Sequence, residues 1–114
     1  MNEKKADNFI ISRKEKINKI DDMLEEEKKK IRKLENIQEN LYSLNMNMSK
    51  CLNLFSKSIK GANTESVLNY ISNYNDQLLN KTDEKINSSL KETKKEINKL
   101  YLEKETVIKS REQE

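Results

Sequence analysis

Along the first half of the chain the apolar residues recur in steps of seven. Ile10, Ile17, Leu24, Ile31, Leu52 and Ile59 share one register, and Ile20, Leu34, Leu41, Met48 and Phe55 share the register three residues on. These are the a and d positions of a helical seam, a pattern that the two-residue period of a strand does not produce. Arg13, Glu27, Gln38 and Asn45 fall on the same seam. Polar groups there weaken the core locally and often fix register or partner choice. Beside Gln38 and Asn45, the flanking Ile37, Leu44 and Cys51 widen the apolar face beyond what a two-helix seam needs. Cys51, among apolar neighbours, is expected to serve as a small buried hydrophobe.

The second half carries a different rhythm. Val67, Leu68, Ile71, Tyr74, Leu78 and Leu79 form one stripe. Beyond it Leu79, Leu90 and Tyr101 recur every eleven residues, as do Ile86, Ile97 and Ile108. That spacing predicts a nearly straight helix, out of step with the heptad of the first arm.

Between the arms lies Ser58-Ile59-Lys60-Gly61-Ala62-Asn63-Thr64-Glu65, which holds the only glycine of a chain without proline. Gly61 can close the first helix in a left-handed conformation, Asn63 or Thr64 can cap the second, and Glu65 suits its first turn. The fold class that follows is all-α: a single long antiparallel two-helix hairpin, coiled-coil-like, over residues 1–114. Arm one runs from about 3 to 60, the turn from about 61 to 64, and arm two from about 65 to 112. At ~1.5 Å per residue the arms would run roughly 80 and 70 Å, a rod.

Composition narrows the function classes. The chain is 38% charged and 33% apolar, with two Phe, four Tyr and no Trp, so a compact core is not expected. The 23 basic and 20 acidic residues are interleaved, which excludes the basic stripe of a nucleic-acid binder. The run Lys28-Lys29-Lys30 with Arg32 and Lys33, following Glu25-Glu26-Glu27, reads as a solvated face with pairs four apart. No apolar run approaches a membrane span, and the first residues lack a signal-peptide core, so a cytoplasmic start is expected. Cys51 is the one cysteine, so no internal disulfide or four-cysteine metal site forms.

Charge also varies along the chain. Residues 36–80 hold only six charged groups in 45 positions, with Asn filling many of the gaps. The part nearest the bend therefore combines weakly charged flanks with Leu41, Leu44, Met48, Leu52, Phe55, Ile59, Val67, Leu68, Ile71 and Tyr74. Depletion of charge with aromatics and Met marks the core of a protein interface, so these ten residues are the candidate partner surface. Packing of arm against arm is the alternative role for them. Catalysis has little to work with: there is no His and no glycine-rich phosphate loop. No catalytic, cofactor or metal residue is assigned, and a non-enzyme is expected.

One late pattern stands out. Tyr101-Leu102-Glu103-Lys104-Glu105 places Tyr101 and Glu105 four residues apart, on one helix face. A hairpin of this size, with a glycine at the bend and Tyr-x-x-x-Glu late in arm two, resembles the WXG-type helical hairpins of type VII secretion. Ile59-Lys60-Gly61 stands where that family has Trp-x-Gly. The chain is more similar to the divergent LXG-associated helical partner proteins, which often lack the Trp. The resemblance implies binding to the helical N-terminal domain of an LXG effector, together with a possible second small helical protein, in a hetero-oligomer. It also implies that Tyr101 and Glu105 are export-signal residues, that Ile59 and Gly61 mark the turn, and that the adaptor can leave the cell with its cargo. The alternative function is a self-associating coiled-coil scaffold or tether.

Overall fold

The computed structural model describes residues 2–59 and 61–110. Two helices account for nearly all of them: α1, Asn2–Ser58, and α2, Ala62–Lys109. With no proline to remove a backbone donor, nothing in either sequence interrupts the ladder of i to i−4 hydrogen bonds. The expected all-α hairpin is what forms.

The bend is built differently from the expectation. The Gly61 carbonyl accepts from the Glu65 amide at 3.1 Å, the first hydrogen bond of α2. Gly61 is thus the N-cap of α2, and its φ lies outside the left-handed range. Asn63 and Thr64 sit inside the first turn of α2 and do not cap it, although Glu65 does lie in that turn. Glycine is tolerated at an N-cap because the position needs no side chain to begin the helix. The expected arm ends at residue 60 and at residues 111 and 112 lie outside the described residues.

Packing divides the chain into two compact units, Met1–Arg32 with Lys91–Glu114 (unit 1) and Lys33–Leu90 (unit 2). Both helices contribute to each. In unit 1 Asp21 pairs with Lys104 and Lys28 lies against Tyr101; in unit 2 Gln38 bonds Asp83 and Asn45 bonds Asn75. Later residues of α1 meet earlier residues of α2, so the helices are antiparallel within each unit.

Unit 1 holds an apolar core of Ile20, Leu24 and Leu100, with Ile97 and Val107 packed against it. Leu100 is its most enclosed side chain, 2% exposed. The heptad of α1 runs through here as expected, with Ile17, Ile20, Leu24 and Ile31 inward, although Ile10 is half exposed. The eleven-residue stripe of α2 holds for Leu79 and Leu90 and for Ile86 and Ile97, and then fails. Tyr101 and Ile108 are exposed, and the inward positions are Leu100, Lys104 and Val107. A lysine fits this seam because Asp21 Oδ1 stands 2.7 Å from its Nζ. The acidic and basic run after Glu25 is solvated apart from Glu27, whose side chain is 16% exposed. Its pairs Lys29–Glu26 and Lys30–Glu27 are three apart rather than four, and Arg32–Glu25 seven apart.

Unit 2 is held by a more polar seam. Ile86 is its buried residue, while Leu34, Leu41, Leu52, Leu68 and Leu79 are partly covered. At the polar seam positions, Gln38 Nε2 donates to Asp83 Oδ1 at 2.7 Å and to Asn87 Oδ1 at 3.1 Å. Asn75 Nδ2 donates to Asn45 Oδ1 at 3.0 Å. Each such pair satisfies groups that a slipped register would leave unpaired, so these bonds specify alignment more than they add stability.

Candidate interaction surface

Two grooves flank the seam of unit 2, and they differ in chemistry. One is lined by Ser49, Asn53, Ser56, Glu65, Asn69 and Ser72 around Leu52 and Leu68. On α1 these are heptad positions a, b and e. The other, about 300 Å³, is lined by Leu41, Leu44, Met48, Leu78 and Leu79 with Asn45, Asn75 and Thr82. Its α1 residues occupy mainly d and g. Positions a/e and d/g lie on opposite flanks of a helical seam, so the polar and the apolar groove open on opposite sides of unit 2. Tyr42 and Met46, at positions e and b, are also exposed.

The apolar side is contributed by both helices. On α1, Ile37, Leu41, Leu44, Met48, Cys51 and Phe55 follow one another at spacings of three and four. On α2, Val67, Ile71, Tyr74 and Leu78 do the same. Residues so spaced share a helix face, which lies along the d/g flank of the seam and, Leu41 apart, is exposed. Leu44 is 64% exposed and Tyr74 is 60% exposed, against 2% for Leu100. Such side chains complete no intramolecular core.

The ten residues expected at a partner surface therefore separate into two groups. Leu41, Leu52 and Leu68 are half-buried between the helices. Leu44, Met48, Phe55, Ile59, Val67, Ile71 and Tyr74 are exposed. Leu52 and Leu68 line the polar groove and so lie off the apolar side. Sequence reading took Val67, Leu68, Ile71, Tyr74, Leu78 and Leu79 as one stripe. The structure turns Leu68 and Leu79 inward and the other four outward. It also adds Leu54, 66% exposed, and Tyr70, 73% exposed, neither of which fits the seam spacing. Cys51 is exposed on the apolar side rather than buried, because unit 2 provides no third layer to cover its g position.

Tyr101 and Glu105 lie in unit 1, four residues apart on α2. Tyr101 is 45% exposed, with the Lys28 ammonium 5.6 Å from the centre of its ring. The Tyr101 hydroxyl is the main cause that raises the Lys28 ammonium above its ordinary pKa. Glu105 is exposed, with an oxygen 3.1 Å from Lys109 Nζ. Both side chains are within reach of an incoming protein. At the turn, Ile59 is 46% exposed beside the Gly61 cap.

Among the described residues no group of His, Cys, Asp or Glu could hold a metal ion, and no helix is long and apolar enough to cross a membrane. Comparison of the chain with protein-family models, with curated proteins and with solved structures produced no match.

Proposed function

We propose that the chain is a non-enzymatic adaptor that docks a helical partner on the apolar side of unit 2. The observation that carries this reading is the exposure of Leu44, Met48, Phe55, Val67, Tyr74 and Leu78 around one apolar groove, in a stretch nearly free of charge. Helical spacing on both α1 and α2 fits a partner that is itself helical, packing ridges into the groove between them. By resemblance, the partner is the helical N-terminal domain of an LXG effector of type VII secretion. Tyr101 and Glu105 then present the complex to the secretion machine, and the adaptor starts in the cytoplasm.

Co-expression with such a domain tests the proposal. Leu44→Glu and Tyr74→Glu place charge on the apolar side at positions too exposed to support the fold. Wild type should co-purify as a heteromer, and each variant should keep its helix content while losing the partner. Undiminished pull-down by both variants refutes the docking surface. Tyr101→Ala with Glu105→Ala should abolish export while leaving the complex intact. Light scattering on the isolated chain addresses the other role: a tight homodimer through the same side, with no partner uptake, makes this a self-associating scaffold.

A further inference from the structure

Unit 1 carries a groove of its own, of about 690 Å³, that uses none of the residues of unit 2's apolar side. Ile20, Met23, Leu102 and Val107 form its apolar lining, and Met23 and Leu102 are 47% and 64% exposed. The Thr106 hydroxyl donates to the Leu102 carbonyl at 2.9 Å, so even this polar side chain has its donor engaged. The rim is basic: Lys16, Lys19 and Lys99 line it against the single carboxylate of Glu103. No ion pair involves these three lysines among the described residues.

The shape and the charge together narrow the occupant. The trough lies between two antiparallel helices, and its lining residues recur at helical spacing on each, Lys16, Lys19, Ile20 and Met23 on α1 and Lys99, Leu102 and Thr106 on α2, which suits a third helix laid along it. The adjoining groove shares Lys19 and Met23 but is lined by Asp22, Glu26 and Glu96. On that flank the charge changes sign within one groove's width, which fits a partner whose own charge is patterned along a helix better than a uniformly anionic surface. We infer that the Lys16–Lys19–Lys99 groove of unit 1 binds an acidic amphipathic helix of a protein partner, its apolar stripe on Met23, Leu102 and Val107 and its carboxylates toward the lysines.

The test uses the full chain and two fluorescein-labelled helical peptides with the same leucine stripe, one flanked by Glu and one by Lys. Fluorescence anisotropy should show micromolar binding of the Glu peptide, at least about tenfold tighter than the Lys peptide and weakening with salt. In Lys16→Glu/Lys19→Glu/Lys99→Glu the preference should reverse, a gain that misfolding cannot mimic. Leu102→Asn should weaken the Glu peptide without reducing helix content, and Leu44→Glu should leave it unchanged. The inference fails if the Glu peptide does not bind or if both peptides bind alike. It fails equally if the triple variant keeps the wild-type preference, or if phosphatidylglycerol vesicles bind and the Glu peptide does not. Retention of Glu-peptide binding by a chain that takes up no effector separates this surface from the docking side of unit 2.

Discussion

Replacing Leu100 by alanine tests which register α2 adopts in unit 1. The eleven-residue spacing points to Tyr101 as the packed residue, whereas the structure encloses Leu100 between Ile20, Leu24, Ile97 and Val107. Burying a leucine is worth about 1.5–3 kcal/mol, and truncation adds a cavity term. Two helices can close partly around the gap, so the expected loss lies near the low end of the Leu→Ala range, about 2–3 kcal/mol. For a chain of this length that corresponds to a fall in Tm of roughly 10–20 °C. Leu102→Ala, at 64% exposure, should change stability by less than about 0.5 kcal/mol. Urea and thermal unfolding followed by far-ultraviolet circular dichroism measure both. Equal effects of the two substitutions, or a larger effect of Tyr101→Ala than of Leu100→Ala, would refute the register.

At the bend, a Cβ on Gly61 would meet only Thr64 Oγ1, at 3.8 Å. Gly61→Ser should therefore stabilise the chain by about 0.5–1 kcal/mol, through a better cap and a less free unfolded chain; a loss of stability would show that a left-handed glycine is needed there. Asn45→Leu with Asn75→Leu should raise thermal stability while broadening the distribution of oligomers in light scattering, since burial increases as the register pairing is lost. Asp83→Ala removes the nearer of Gln38's two acceptors and that of Tyr42, and should cost about 1 kcal/mol in urea unfolding. For pH, Glu27 beside Lys30 and Tyr101 beside Lys28 raise both ammonium groups above 10.5. Groups raised on folding stabilise fully below the unfolded value and lose that contribution as pH rises through the folded one. An alkaline circular-dichroism titration should thus find the contribution of these two contacts intact at neutral pH and lost only above 10.5.

The helical hairpin was legible because its signals are local: one glycine, no proline and a heptad. The polar seam positions Gln38 and Asn45 were legible for the same reason, since their place is defined by apolar neighbours seven residues away. The register of late α2 was not. Its seam passes through Thr93 and Lys104, which are polar by type, so a search for apolar spacing moves to Tyr101 and Ile108 instead. Lys104 belongs to the seam only through Asp21, more than eighty positions earlier in the chain. The basic groove of unit 1 was hidden in the same way, because it joins residues near 20 to residues near 105. The cap was misread because Asn63 and Thr64 have the right chemistry, but Gly61 already accepts the first helical hydrogen bond.

The exposure of Cys51 on the apolar side of unit 2 has a practical consequence. With no second cysteine in the sequence, every equivalent of thiol reagent consumed reports on that one surface. A protein seated on Leu44, Met48 and Phe55 would slow disulfide exchange at Cys51, whereas a ligand confined to unit 1 would leave the rate unchanged. The unmodified chain thus carries its own footprinting probe, able to time the arrival and departure of a partner without any label being introduced.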